Sequence, residues 1–193
     1  ATVILGAGPL GNGAVRCVAM TNGAALEGFT ITNGFTRAAG DISKERSGGG
    51  VWCSGGGARI QNCTLIGNQA DEYGGGMYQG NAIACAFAAN ITAQYGAGAY
   101  NVNATNSVYA RNITRNGGGG QANGTTFRCL FEDNVATNGG GGTLTVTLHN
   151  SGMPQPPAGV VVGNRQIPGF SNLLSVLDAS TWLCQSVMFL VLG

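Results

Sequence analysis

The sequence predicts an all-β solenoid in which coils of about 22 residues stack along one axis. Two sets of residues return every 22 positions in the middle of the chain, between clusters of glycine. The first set is asparagine and consists of Asn68, Asn90, Asn112 and Asn134. The second set is apolar and consists of Leu65, Phe87, Tyr109 and Phe131. A unit of this size shows no helical period and cannot bury an apolar face alone, so successive units must stack.

The composition indicates a folded chain with little charge. Glycine accounts for 35 of the 193 residues, and a content of 44% hydrophobic and only 9% charged residues excludes a disordered chain. The formal net charge of +1 gives no electrostatic basis for binding nucleic acid or an anionic membrane. The longest unbroken apolar run, 187–192, is far shorter than the ~20 residues of a membrane-spanning helix. We therefore predict neither a nucleic-acid partner nor a membrane span.

The first turns are expected to be longer than the later coils. A strand is expected at once over 2–5, and residues 24–33 align with the stretch that begins at 58, at an offset of 34. The additional length is a charge-rich loop at about 35–48. Insertions on a solenoid often carry binding residues, but the same composition is typical of a solvated surface loop, and both interpretations remain open here.

Within each coil, side chains are expected to alternate between the inside and the outside. In the segment 63–65 the period of two residues places Cys63 and Leu65 inward. Equivalent residues of stacked coils lie about 4.8 Å apart, so like side chains form ladders. An asparagine at a repeated bend can bind the backbone of the coils above and below it, and glycine suits bends with positive φ.

The last part of the chain, 151–193, is predicted to be a separate segment after the solenoid of 1–150. A proline-rich connector leads into an apolar tail that either caps the last coil or is donated to a neighbouring subunit by strand addition. In the second case subunits would join head to tail into a filament. The candidate assembly residues at the two ends are Thr2, Val3, Ile4, Leu5, Trp182, Val187, Phe189 and Val191.

Several stretches resemble a known family of repeats. The matching pieces are 26–34, 48–52, 60–68 and 74–78, within a region of about 24–150. They resemble extracellular right-handed parallel β-helix repeats, similar to those of the polymorphic outer-membrane proteins. The resemblance implies a right-handed parallel β-helix, an extracellular or cell-surface location, and a structural or adhesive role without a catalytic residue. The partners it implies are copies of the chain itself, cell-surface glycans or a host surface.

The six cysteines are an even number, as in many disulfide-bonded extracellular proteins. Cys63 and Cys85 occupy one column of adjacent coils, where a Cα separation near 5 Å lies within the range of a disulfide. Free thiols in a buried ladder are the alternative. Two further pairs are candidates, and they consist of Cys17 with Cys53 and of Cys129 with Cys184.

The remaining candidates concern carbohydrate. Asn103 and Asn123 lie in glycosylation sequons at predicted outer turns. The acidic pairs 71–72 and 132–133 are separated by two coils without acids, about 14 Å, which is too far for a catalytic dyad. We therefore expect no enzyme, cofactor or metal site, with a sugar-binding or polysaccharide-degrading β-helix as the alternative. In that alternative the stacking residues would be Trp52, Tyr78 and Tyr100.

Overall fold

The computed structural model describes residues 2–144, 147–149, 160–162 and 165–166, with side chains over 2–143. The predicted all-β solenoid is confirmed. Its described residues form 21 strands, numbered β1 to β21 in chain order, which make three sheets of parallel strands along one axis. Within these residues no helix is present.

Each coil contributes strands to the three sheets in turn. The first sheet contains β1 (Thr2–Leu5), β4 (Phe29–Thr32), β7 (Thr64–Ile66), β10 (Ala86–Ala88), β13 (Val108–Ala110), β16 (Leu130–Glu132) and β20 (Val160–Val162). The second contains β8 (Gln69–Ala70), β11 (Ile91–Thr92), β14 (Ile113–Thr114), β17 (Val135–Ala136) and β21 (Arg165–Gln166). The third contains β2 (Val18–Met20), β3 (Ala25–Glu27), β5 (Val51–Cys53), β6 (Arg59–Gln61), β9 (Met77–Ile83), β12 (Ala99–Thr105), β15 (Gln121–Phe127), β18 (Thr143–Leu144) and β19 (Thr147–His149).

The register between coils agrees with the predicted periods. Leu65 pairs with Phe87, and Phe87 pairs with Tyr109, each 22 residues further along the chain. The earlier turn has the predicted offset of 34, since Thr30 pairs with Thr64. The loop at 35–48 therefore leaves the solenoid between β4 and β5 without disturbing the register of the first sheet.

The core is a ladder of large side chains inside the first sheet. All of its members are fully buried, and they are Ile31, Leu65, Phe87, Tyr109 and Phe131. The ring centroids of Phe87 and Tyr109 lie 4.6 Å apart, and those of Tyr109 and Phe131 lie 4.7 Å apart, in nearly parallel planes. The Tyr109 hydroxyl donates to Oε1 of Gln121 at 2.5 Å, and burial raises the pKa of this tyrosine. Cys63 is also buried, so the predicted inward positions are confirmed.

The recurring asparagines form a second buried ladder, as predicted. In each step, Oδ1 of one asparagine accepts hydrogen bonds from the backbone N–H and the Nδ2 of the asparagine one coil earlier. Its own Nδ2 donates to a carbonyl oxygen of the first sheet in the preceding coil, as Asn90 does to Leu65 at 2.9 Å. The ladder thus replaces the backbone hydrogen bonds that a bend between two sheets interrupts.

The bend between the first and second sheets has the left-handed backbone conformation in every regular coil. Gly67 occupies this position with a φ of 65°, whereas Ala89 occupies it one coil later with a φ of 51°. Arg111 and Asp133 follow with φ values of 55° and 49°. A residue with a Cβ atom is strained in this conformation, and glycine is not.

Substitution Ala89→Gly is therefore expected to stabilise the protein by about 0.5–1 kcal/mol, because it relieves the left-handed strain. Thermal or urea unfolding monitored by circular dichroism measures this. Ala88→Gly is the matched control, since Ala88 lies in strand β10, where glycine weakens the strand. A loss of stability in Ala89→Gly would contradict the assigned backbone conformation.

Part of the predicted C-terminal segment lies outside the described residues. This applies to the tail as a cap or donated segment, and to Trp182, Cys184, Val187, Phe189 and Val191. Within the described part of 151–193, strands β20 and β21 add to the first and second sheets through pairing with β16 and β17.

Candidate functional site

The outer surface of the first and second sheets forms one continuous lateral face. We define this lateral face by three columns of outward side chains, read from the strand register. The first column contains Val3, Thr30, Thr64, Ala86, Val108 and Leu130. The second contains Leu5, Thr32, Ile66, Ala88, Ala110 and Glu132. The third, in the second sheet, contains Gln69, Ile91, Ile113 and Val135.

The three columns of the lateral face are rich in exposed aliphatic side chains and contain one charged residue. Glu132 is the single charged side chain of the three columns, and the exposed Arg111 and Asp133 lie at the bend between the second and third columns. Six of the eight exposed large hydrophobic side chains of the described residues lie on the lateral face, with exposed fractions from 37% for Val108 to 67% for Leu5. They are Val3, Leu5, Ile66, Ile91, Val108 and Ile113. Such a concentration of apolar surface on one side of a protein marks an interaction site.

The predicted assembly residues of the first strand fall partly on this face. Strand β1 pairs with β4 on one side and is the first strand in the order of its sheet. Val3 is 50% exposed and points outward with Leu5, whereas Ile4 points inward beside Ile31. The structure therefore places Val3 and Leu5 in the same columns as apolar side chains of later coils. The 22-residue period of those coils does not extend to this first strand.

The predicted aromatic column exists on the third sheet. Trp52 pairs with Tyr78, and Tyr78 pairs with Tyr100. However, the rings of Tyr78 and Tyr100 stack on each other, with centroids 5.8 Å apart and planes inclined by 3°. The guanidinium of Arg16 lies over the Trp52 ring at 5.6 Å, and the indole N–H donates to the carbonyl oxygen of Ser43 at 2.7 Å.

Two further tyrosines, which the sequence analysis missed, complete this cluster. The Tyr73 ring stacks on Tyr100 at 4.4 Å, and Tyr95 lies 6.2 Å from Tyr73. Partial burial raises the pKa of both Tyr73 and Tyr100. Tyr78 is only 8% exposed, and the ring faces that stack in the pairs Tyr73–Tyr100 and Tyr78–Tyr100 contact each other. Sugar stacking needs an open ring face, and this geometry therefore favours a packing role for the cluster.

The loop at 35–48 is tied to the body of the solenoid. Arg16 donates to the carbonyl oxygens of Lys44, Ser47 and Gly48 at distances of 2.6–3.1 Å. Arg46, within the loop, forms ion pairs with Asp71 at 2.6 Å and Glu72 at 2.5 Å on the solenoid. Arg16 and Arg46, and both carboxylates of the acidic pair 71–72, are thus bound within the protein itself.

The five described cysteines are free thiols in this structure. Cys63 and Cys85 do occupy one column, and the hydrogen bond between their thiols lowers the pKa of Cys63 and raises that of Cys85. The expected pairing of Cys17 with Cys53 does not agree with the register, because Met20 is the partner of Cys53. The Cys17 thiol instead donates to the carbonyl oxygen of Thr32 at 3.1 Å, and burial raises its pKa to about 11.

The sequon asparagines lie in different environments. Asn103 is exposed on the outer side of the third sheet, and its Oδ1 accepts from the Thr125 hydroxyl at 2.8 Å. Asn123 is half-buried and has a φ of 56°. Asn90 and Asn112 are fully buried in the asparagine ladder and are closed to glycosylation in the folded chain.

The described residues show neither a metal centre nor a membrane-spanning helix. No group of three or more histidine, cysteine or acidic side chains is arranged to hold a metal ion within the described ranges. The same part of the chain contains no helix with the length and hydropathy of a membrane span.

Comparisons with known proteins provide no relative from which a role could be transferred. No protein-family model matches the chain, and neither does a curated protein or a solved structure.

Proposed function

We propose that this chain is a non-enzymatic structural or adhesive solenoid of the cell surface or extracellular space, and that it binds copies of itself through the lateral face. The repeats' resemblance to extracellular β-helix proteins supports the location. The observation that carries the self-association is the set of exposed aliphatic side chains on this face, whose three columns contain one charged residue and whose bend adds one cation and one anion, Arg111 and Asp133. Identical copies repel wherever a patch of one charge sign meets itself, and a face with few charges of both signs avoids most of this cost.

The size of the lateral face suits a weak complex of two copies. The face spans six strands of the first sheet, about 24 Å, and its three columns with the intervening bend cover about 20 Å across. Each copy thus contributes about 500 Å², and a pair buries about 1,000 Å², near the lower limit of specific interfaces. Sheet faces that pack on each other in this way lie about 10 Å apart. We therefore expect association that rises with concentration.

Ile113→Lys tests this proposal because Ile113 is 48% exposed at the centre of the second sheet. The wild-type chain is expected to sediment as a monomer–dimer equilibrium, and the lysine is expected to weaken dimerisation more than tenfold by burying an unpaired charge. Sedimentation velocity over a concentration series measures both constants.

Ile42→Lys is the matched control, because Ile42 is 44% exposed but lies in the loop outside the lateral face. It should dimerise like the wild type. A wild-type chain that stays monomeric at every concentration, or two lysine variants that behave alike, would contradict the proposal. If the chain's own C-terminal segment covers the face, Ile113→Lys would instead lower the unfolding temperature of a monomer. That outcome would also contradict the proposed self-association.

A further inference from the structure

An open groove of about 460 Å³ lies on the outer surface of the third sheet. It runs along the outer surface of β3, β6, β9 and β12, next to the glycine turns at 23 and 57. Arg59, Asn81 and Asn103 follow one another in register along its length, one for each coil. Small-molecule sites commonly have volumes of about 300–1,000 Å³. The groove is therefore large enough for a short linear ligand that lies across several coils.

The polar side chains of the groove offer complementary hydrogen-bonding atoms. Nδ2 of Asn81 donates to the carbonyl oxygens of Gly56 and Ala58, and Asn81 Oδ1 has no partner among the described residues. In Asn103 the amide is used the other way, since Oδ1 accepts from Thr125 and Nδ2 has no partner in the described part of the chain. The two neighbouring amides thus present one acceptor and one donor.

Arg59 gives the groove a positive charge. Its side chain is exposed and makes no ion pair or hydrogen bond within the described residues, unlike Arg16 and Arg46. No acidic side chain lines the groove. In the adjoining column, Glu27 is in register with Gln61, and it accepts a hydrogen bond from Nδ2 of Asn62 at 3.0 Å. A guanidinium in this state is available for bidentate binding of a carboxylate.

From these three features we infer that the groove binds a linear acidic oligosaccharide, with Arg59 on a carboxylate and Asn81 and Asn103 on hydroxyl groups. Sugar hydroxyls both donate and accept, which matches the paired amides, and the half-buried Ile83 offers apolar surface to the carbon side of a ring. A nucleic acid would require several cations in a row, and the groove has one. This site is separate from the lateral face and does not depend on self-association.

Calorimetric titration with a short oligogalacturonate tests the inference on the unglycosylated full chain. The wild type is expected to bind it. Arg59→Gln is expected to lower the affinity at least about tenfold, because it removes a charge-assisted hydrogen-bonded pair. Arg115→Gln is the matched control, because Arg115 is also exposed but does not line the groove. A neutral maltooligosaccharide of equal length should bind at least tenfold more weakly.

The inference is overturned if neither sugar binds, if both bind equally, or if Arg59→Gln leaves oligogalacturonate binding unchanged. The same titration on Ile113→Lys separates this site from the proposed function. Unchanged sugar binding by that variant supports an independent groove, whatever its oligomeric state. Loss of sugar binding in Ile113→Lys alone, with the fold intact, would contradict the independence of the two surfaces.

Discussion

Replacement of Asn90 by alanine is expected to lower the free energy of unfolding by about 3 kcal/mol, because it removes a buried side chain that binds two backbone groups. Asn90 is fully buried at the centre of the asparagine ladder. Its Oδ1 accepts from the backbone N–H of Asn68 at 3.0 Å, and its Nδ2 donates to the carbonyl oxygen of Leu65 at 2.9 Å. Alanine would leave both backbone groups buried without these partners, and each such group costs about 1–3 kcal/mol.

Urea unfolding of Asn90→Ala measures the loss, and Asn138→Ala is its control. Asn138 is exposed and makes a single side-chain hydrogen bond at its surface, from Nδ2 to Oδ1 of Asn116 at 3.1 Å. We expect that variant to stay within about 0.5 kcal/mol of the wild type. Equal stabilities of Asn90→Ala and Asn138→Ala would show that the ladder does not hold the coils together.

Substitution Gly98→Ala is expected to destabilise the solenoid by about 1–3 kcal/mol, because it forces adjacent coils apart. A Cβ atom at this position would lie 2.8 Å from Cδ1 of Tyr109 and even closer to the carbonyl oxygen of Gly120 in the next coil. Neither neighbour can yield easily, since Tyr109 is held between two stacked rings and the Gly120 carbonyl oxygen accepts a hydrogen bond from the backbone N–H of Ala99. Thermal unfolding with circular dichroism would record the loss.

Gly56→Ala provides the comparison for this effect. A Cβ atom on Gly56 would meet nothing within 4 Å, so this change removes a glycine without a clash. It is expected to leave stability unchanged or raise it slightly, because alanine reduces the entropy of the unfolded chain. If Gly98→Ala matched Gly56→Ala, the close approach of the coils at the glycine turns would be wrong.

Much of the fold could be predicted because stacking repeats the same environment every 22 residues. The inward position of Leu65 and the role of Asn90 both follow from that single period, and each coil repeats the same demand for burial and hydrogen bonding. The offset of 34 for the first turn was equally visible, because the segments on each side of the loop resemble each other.

The candidate surfaces were less visible because they join residues that share no period. The pairing of Val3 with Thr30 has an offset of 27, so only the register places Val3 on the lateral face. Tyr73 reaches Tyr100 because the chain folds back at the glycine turn, which no local pattern indicates. The groove around Arg59 likewise combines a turn, a strand and the next two coils.

Small-angle X-ray scattering of the purified full chain over a concentration series tests the proposed lateral association most directly. It reports the molecular mass and the longest dimension of the same particles. Association through the lateral face predicts a mass that rises toward twice the monomer value of 19.4 kDa while the longest dimension changes little. A mass that stays at the monomer value would contradict self-association, and a dimension that doubles with the mass would show head-to-tail joining instead of pairing through the lateral face.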